Sequence, residues 1–196
     1  MSKRVFDLIV GSFALVLSLP LMALAAFFVY FEDGPPVIFR QKRVGKDGRL
    51  FEIYKFKTMV NNAEQWHGQI ETRDAHGNPI YKNPEDPRVT RVGRILRRSS
   101  LDELPQLFNV LTGTMSLVGP RPELPHLVKK YESWQYQRFA VPPGMTGWWQ
   151  ISGRSDRPMH LHTEDDLYYI QNRSIWLDLQ IIFRTIWVVI RGKGAY

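Results

Sequence analysis

One apolar stretch dominates the first part of the chain. The 24 residues from Leu8 to Phe31 carry no charged side chain, and about 20 apolar residues are enough to cross a bilayer core about 30 Å thick. Pro20 lies near the middle and lacks the backbone donor that a helix uses, so we expect a kink or a break there. Each half, about 18 Å long, is too short to span alone. The stretch therefore predicts either a kinked spanning helix or a segment that enters the membrane and returns to the same face.

Basic residues lie on both sides of this stretch. Lys3 and Arg4 precede it, and Arg40, Lys42 and Arg43 follow soon after it. Lysine and arginine normally mark the cytoplasmic side of a membrane segment. Basic residues at both ends thus weaken the case for a simple crossing, although hydropathy alone favours one.

The rest of the chain shows shorter strand and helix patterns. Two strand patterns flank Gly45-Lys46-Asp47-Gly48, which predicts a β-hairpin. Ser100 and Glu103 have the spacing of a capping box at a helix start. The last apolar pattern, rich in aromatic residues, suits either a helix in the membrane interface or one packed on the core. The predicted strands cover Val37–Val44 and Leu50–Thr58, and the predicted helices cover Arg88–Arg98, Ser99–Leu111, Leu124–Phe139, Asp165–Arg173 and Trp176–Arg191. Asn61–Asp86 is predicted to be a helix start followed by a long loop, and Val141–Arg154 a loop with one short strand.

Composition narrows the class of protein. The chain has 196 residues, of which 44% are hydrophobic, contains no cysteine and carries a net charge of +7. Disulfides and thiolate metal sites are excluded, and the composition fits one compact domain in a reducing, cytosol-facing environment. The positive charge favours an anionic partner, which could be lipid headgroups, a nucleotide or nucleic acid.

Asp102 and Glu103 are the most informative acidic residues. Adjacent carboxylates compete electrostatically and suit either a nucleophile with a partner acid or base, or a Mg²⁺ site. Spacing alone favours a structural role, because acids at a helix start complement the macrodipole. Five arginines between Arg88 and Arg98, with Arg121 downstream, shift the balance. Anions within a cationic neighbourhood are what phosphoryl transfer requires, since it depends on positioning and charge neutralisation.

Two lysines extend this cationic neighbourhood. Phe51, Ile53, Lys55 and Lys57 share one face of the second predicted strand, because side chains alternate along a strand. The order indicates a strand that leaves the core and enters an anionic site. A solvated strand end is the alternative, and spacing alone favours it.

Three long motifs, in this order, resemble one protein family. They are FRQKRVGKDGRLFEIYKFKTM, DPRVTRVGRILRRSSLDELPQLFNVLTGTMSLVGPRPE and PPGMTGWWQISGR. Together they are similar to the bacterial monotopic phosphoglycosyl transferases, also called bacterial sugar transferases, which initiate the synthesis of exopolysaccharide, O-antigen and glycoprotein glycans. The resemblance covers nearly the whole chain.

The resemblance implies a reaction. It implies transfer of a sugar 1-phosphate from a UDP-sugar to a polyprenyl phosphate such as undecaprenyl phosphate, with release of UMP. Asp102 matches the family nucleophile, which forms a phosphosugar-enzyme intermediate, and Glu103 matches the second acid, with a role in metal binding or proton handling. Mg²⁺ is the implied cofactor, held with help from this pair. The residues that match phosphate-binding positions or motifs lining the site are Lys55, Lys57, Arg97, Arg121 and Arg154.

The resemblance also implies how the chain meets the membrane. The expected fold is α+β, mainly α with a small β-hairpin: residues 1–33 form a re-entrant helix-break-helix, and residues 34–196 form a compact cytosolic catalytic domain with interfacial amphipathic helices. The break matches Pro20, and Ser18 is placed to bond to the freed backbone. The implied location is the cytoplasmic face of the bacterial inner membrane. Membrane lipids are expected partners and nucleic acid is not; the oligomeric state is open, with a homodimer as one option.

Two departures from the family pattern stand out. Pro142 precedes Pro143-Gly144 where many relatives have a basic residue, and Leu19 separates Ser18 from Pro20. The sequence does not identify the sugar. The alternatives are a membrane-anchored binder of nucleic acid or another anionic ligand, and a membrane-bound phosphohydrolase that uses the same acidic pair.

Overall fold

The computed structural model describes residues 2–63, 86–152 and 163–191. The described residues are mostly helical with two small sheets, which confirms the α+β class. The helices are α1 (Lys3–Asp33), α2 (Arg91–Arg98), α3 (Gln106–Thr112), α4 (Pro125–Val128), α5 (Trp148–Ile151), α6 (Thr163–Asn172) and α7 (Ile175–Arg191). The strands are β1 (Ile38–Val44), β2 (Leu50–Phe56), β3 (Ser116–Val118) and β4 (Gly144–Thr146), and 3₁₀ turns cover Lys46–Gly48, Leu101–Glu103 and Ser133–Ala140.

The predicted hairpin is present, and a second sheet joins distant parts of the chain. β1 and β2 pair antiparallel, with Gln41 opposite Ile53. β3 and β4 pair parallel, a contact that the sequence pattern does not predict. Gly144 makes this pairing possible, because a Cβ there would lie 2.1 Å from the backbone nitrogen of Gly119. The close approach fixes the loop after β3 against β4.

Helix α1 is continuous through Pro20, so the predicted break is not seen in the backbone. Proline removes one donor, whereas the neighbouring turns keep their own hydrogen bonds. The Ser18 hydroxyl donates to the Leu15 carbonyl at 3.0 Å. In a regular helix the amide of residue 20 donates to the Val16 carbonyl, so Pro20 leaves that carbonyl without a helical donor. Ser18 binds the carbonyl of the residue before Val16, which is Leu15. Whether the helix spans or returns is a question of membrane placement, treated below.

Helix α1 buries only one stripe along its length. Its buried apolar residues fall in two groups: Phe6 near the start, and Met22, Ala25 and Val29 in the second half. Much of the remaining surface is exposed and apolar, as in Phe13, at 70% exposure. Among the described residues, α1 is the one helix long and apolar enough to cross a membrane. Both halves of α1 nevertheless pack on the rest of the protein.

Several predicted boundaries are wrong. Helix α2 begins at Arg91 instead of Arg88, because Val89 bridges to Met59 and the Thr90 side chain caps the helix. Ser100 makes no capping hydrogen bond and has a left-handed backbone with φ 57°, so the predicted capping box is absent. The predicted helix over Leu124–Phe139 is α4 followed by a 3₁₀ turn, Ser133–Ala140. Helix α7 matches its prediction closely and exposes Trp176 and other large apolar side chains.

Candidate active site

The acidic pair lies in a bend between two helices. We call residues 91–112, which comprise α2, the bend and α3, the dyad segment. The left-handed conformation of Ser100 turns the chain, and the 3₁₀ turn Leu101–Glu103 follows, with the Glu103 amide donating to the Ser100 carbonyl at 3.2 Å. A positive φ is uncommon for a residue with a Cβ. The bend thus presents two consecutive carboxylates to the same neighbourhood.

Glu103 is bound by two cations. Lys55 Nζ lies 2.7 Å from Glu103 Oε1, and Arg121 Nη2 lies 2.9 Å from the same oxygen. Burial raises the pKa of the Glu103 carboxyl, but the charges of Arg121 and Lys55 outweigh burial and hold that pKa well below its usual range. Glu103 is therefore ionised and fixed in place.

Asp102 differs from its neighbour. Within the described ranges its carboxylate has no hydrogen bond and no ion pair. Burial raises the pKa of Asp102, as does the charge of Glu103, whereas Lys55, Arg97 and Arg121 lower it without cancelling the shift. Asp102 is thus a half-buried carboxylate, close to three cations and bonded to none of them. Such a group has the properties of a nucleophile.

Arg97 approaches this carboxylate from α2. Its Nε donates to the Thr58 hydroxyl at 2.9 Å, which fixes the guanidinium after β2. Burial lowers the pKa of Arg97, while the charges of Asp102 and Asp86 raise it. A planar guanidinium with free donors suits phosphate oxygens. Arg97 therefore places a group suited to phosphate beside Asp102.

The loop that carries Arg121 is held from several sides. Gly119 and Pro120 bond to the backbone around β4, and the Glu123 carbonyl accepts from the Val44 amide at 2.9 Å. Arg138 donates to the Arg121 carbonyl at 2.9 Å, and its guanidinium lies 2.5 Å from Asp166 Oδ2. The side chain of Arg138 is fully buried. This network keeps Arg121 directed at Glu103.

Sequence reasoning missed Arg43, Glu123, Arg138 and Asp166. Arg43 donates to the Pro122 carbonyl at 3.3 Å, and burial together with the charge of Arg121 lowers its pKa to about 10. Only Glu123 carried a signal, as the acid that ends the GPRPE motif. The other three lie in segments whose local patterns do not distinguish them from surface residues.

One predicted site residue among those the structure describes, Lys57, does not join this cluster. Lys57 donates to the carbonyls of Asp33 and Gly34 at 3.1 and 2.8 Å and pairs with the Asp33 carboxylate at 2.9 Å. It thus holds the end of α1 in place. Arg154 lies outside the described residues. The structure brings together Asp102, Glu103, Lys55, Arg97 and Arg121.

The residues present fit a magnesium ion that is completed by substrate. Mg²⁺ is usually bound by one or two carboxylates together with water and substrate phosphates. Both Asp102 oxygens and one Glu103 oxygen have no partner that the described chain supplies. In the described ranges no group of three or more acidic or histidine side chains could hold a metal by itself. The pair could therefore supply two carboxylate ligands, and the other ligands would be substrate and water oxygens.

A long apolar helix together with a half-buried acidic pair and three cations indicates a membrane-associated protein with a site suited to an anionic substrate. The chain belongs to the bacterial sugar transferase family, which it matches over residues 1–192. This confirms the resemblance that the three sequence motifs carry.

Individual relatives support the same assignment. The chain is 42% identical to the undecaprenyl-phosphate galactose phosphotransferase of Salmonella typhimurium, over 99% of this chain and 41% of that protein. It is 42% identical to the UDP-N-acetylgalactosamine-undecaprenyl-phosphate N-acetylgalactosaminephosphotransferase of Aeromonas hydrophila, over 98% of this chain and 44% of that protein. The exopolysaccharide production protein ExoY of Rhizobium meliloti is 40% identical, over 100% of this chain and 88% of that protein. The chain thus spans about two fifths of the first two relatives.

Proposed function

We propose that this chain transfers a sugar 1-phosphate from a UDP-sugar to a polyprenyl phosphate at the cytoplasmic face of the bacterial inner membrane. The observation that carries the proposal is the contrast within the acidic pair: Glu103 is neutralised by Lys55 and Arg121, whereas Asp102 is unbonded among the described residues. The names of the relatives support the substrate class. Galactose and N-acetylgalactosamine are the first sugars to test.

In the first step, an Asp102 carboxylate oxygen attacks the β-phosphorus of the UDP-sugar. A new P–O bond forms, and the bond between that phosphorus and the oxygen bridging to the α-phosphate breaks, so UMP leaves with the electron pair. The sugar phosphate is then joined to Asp102 as an acyl phosphodiester. Arg97, Arg121 and Lys55 are placed to neutralise the negative charge that spreads over the phosphoryl oxygens.

In the second step, a phosphate oxygen of the polyprenyl phosphate attacks the same phosphorus. The bond between phosphorus and the Asp102 oxygen breaks, the carboxylate is regenerated, and the product is a polyprenyl diphosphate-sugar. The raised pKa of Asp102 has a chemical use here, because a more basic carboxylate is a better nucleophile. The ionised Glu103 holds Lys55 and Arg121 in position through both steps.

Magnesium belongs to this proposal as a cofactor. Asp102 and Glu103 would hold it, and when bound it would supply positive charge to the diphosphate of the donor. Arg97 and Arg121 bind and orient the same phosphates from the protein side.

We also infer that α1 enters the membrane and returns to the face it started from. Arg4 at its start binds the end of α3, and Glu32 at its end binds the start of α2. A straight crossing would place these two ends on opposite sides of the bilayer, about 40 Å apart. Both ends contact one polar domain, which favours the same-side arrangement, with the exposed apolar face of α1 in the lipid.

The topology can be measured with reactive tags. A cysteine introduced at Ser2 and another after Phe31 should both react with a membrane-impermeant reagent from the same side of sealed vesicles. The native chain has no cysteine, so the background is clean. Labelling from opposite sides would establish a spanning helix and overturn this arrangement.

The reaction is tested by release of UMP from UDP-sugars, with and without polyprenyl phosphate and Mg²⁺. Asp102→Asn should abolish UMP release, and intact mass measurement after donor alone should show a sugar phosphate adduct on the native chain. Asp47→Asn is the matched control, since it makes the same substitution on the exposed hairpin turn and should keep full UMP release. Full activity of Asp102→Asn would exclude the nucleophile assignment. Loss of sugar phosphate to water without the lipid acceptor would indicate a phosphohydrolase.

A further inference from the structure

The two charged ends of α1 bind the two outer ends of the dyad segment. Arg4 donates to the carbonyls of Val110 and Leu111, in the last turn of α3, at 2.6 and 2.7 Å. Glu32 accepts from the first two amides of α2, those of Arg91 and Val92, at 2.8 and 2.9 Å. Helix ends leave backbone groups without partners, and a cation at the C-terminus or an anion at the N-terminus stabilises them. The opposite charges thus match the opposite helix ends.

Apolar packing joins α1 and the dyad segment between these ends. Leu96 of α2 lies in the same core cluster as Met22 and Val29 of α1. Leu107 and Val110 of α3 lie with Phe6 in a second cluster. The dyad segment therefore runs antiparallel to α1, with α2 against its second half and α3 against its first.

The acidic pair lies beside the middle of α1. Leu15 of α1 packs against both core clusters, and so does Leu104, the residue that follows Glu103. Pro20 lies about 1.4 turns after Leu15 along the helix.

We propose that α1 positions the acidic pair, and that Glu32 and Arg4 are positioning residues for the transfer reaction. They fix the far ends of α2 and α3, and the bend between those helices sets where the Asp102 carboxylate lies relative to Arg97 and Arg121. The kinetic part of this inference rests on the proposed function. The structural part does not, because it concerns only how the dyad segment is held.

The test uses Glu32→Gln and Arg4→Met in the full chain, in lipid nanodiscs. Each should lower kcat for UMP release about 10- to 100-fold, because small displacements of a nucleophile have effects of that size. The KM for the donor should change much less, since Lys55 and Arg121, which lie outside the dyad segment, stay in place. Arg4→Lys, which keeps one donor to the carbonyls, should recover part of the loss. Matched controls are Asp47→Asn and Arg49→Met, which change the same charges on the exposed hairpin turn.

Hydrogen exchange gives a readout that does not need activity. Amides of residues 99–106 should exchange faster in Glu32→Gln and Arg4→Met than in the native chain, while those of the hairpin 38–56 should not change. If the variants exchange faster but the native chain transfers no sugar phosphate, the proposed reaction is refuted and the role of Glu32 and Arg4 in holding the dyad segment stands. Unchanged kcat per folded molecule, whether or not folding is impaired, would overturn the positioning role.

Discussion

At the residue scale, two neighbouring carboxylates differ because of what surrounds them. Glu103 shares one oxygen between Lys55 and Arg121, and its pKa is lowered. Asp102 is half-buried without a bonded partner from the described chain, and its pKa is raised. A raised pKa means that the ionised form is disfavoured in the folded protein relative to the unfolded chain. Reactivity at Asp102 is therefore obtained at a cost in stability.

This contrast predicts opposite effects of two adjacent substitutions. Asp102→Asn should leave the melting temperature unchanged or raise it, because it removes an unfavourably buried charge. Glu103→Gln should lower stability by about 1–3 kcal/mol, because it leaves two partly buried cations without their anion. Thermal unfolding of both variants in the same detergent at pH 7 measures the difference. A destabilised Asp102→Asn variant would show that Asp102 has a structural role.

At the element scale, α2 is placed by contacts that its own pattern does not reveal. The arginine-rich pattern predicts a helix, but the start depends on the bridge from Val89 to Met59 and on Glu32. Gly93 brings the helix against the segment that follows β2, since a Cβ there would lie 2.2 Å from the Thr58 carbonyl oxygen. This approach lets the Thr58 hydroxyl reach Arg97.

We expect Gly93→Ala to impair both folding stability and transfer. Alanine is favoured over glycine inside a helix by about 1 kcal/mol, but the added Cβ would force α2 away from Thr58 and displace Arg97. Gly11→Ala in α1 is the matched control, because its Cβ would meet only the Val110 and Leu111 side chains, at 3.3 and 3.6 Å. Melting temperature and UMP release are measured for both variants, and Gly93→Ala should lose more of each. Equal losses of melting temperature and UMP release in the two variants would show that the close contact with Thr58 is not needed for stability or transfer.

At the scale of the whole molecule, one buried arginine connects three parts of the chain. Arg138 pairs with Asp166 of α6, contacts the Tyr131 hydroxyl and binds the Arg121 carbonyl. Burial raises the pKa of Asp166 to about 6, although the charge of Arg138 opposes the shift. The folded protein therefore binds a proton at Asp166 more tightly than the unfolded chain, whose carboxyl has the ordinary pKa of about 4.

The pH dependence of stability follows from this shift. Stability from Asp166 is fully present below about pH 4 and is lost as the pH rises through about 6. Asp166→Asn lacks this titration, so its melting temperature relative to the native protein should rise between pH 4 and 6 and then stay constant. A difference that does not vary over this interval would place the pKa of Asp166 near its ordinary value.

Sequence alone determined the parts of this protein that depend on local pattern. The run from Leu8 to Phe31 predicts a long apolar helix, and the spacing around Gly45–Gly48 predicts the hairpin. Both predictions depend only on residues that lie a few positions apart in the sequence. Motif order was enough to identify the family. Local pattern failed at Ser100, where the capping box was the better local choice and the tertiary contacts of Glu103 prevailed.

Only the tertiary structure decided which charges meet. Lys55 and Lys57 share a predicted strand face, yet one binds Glu103 and the other binds the end of α1. The partners lie 48 and 24 residues away in the chain, a separation at which no sequence period applies. Burial, which makes Asp102 differ from Glu103, likewise depends on the packing of distant segments. The sequence thus supplied the chemical groups, and the folded chain determined which of them is free to react.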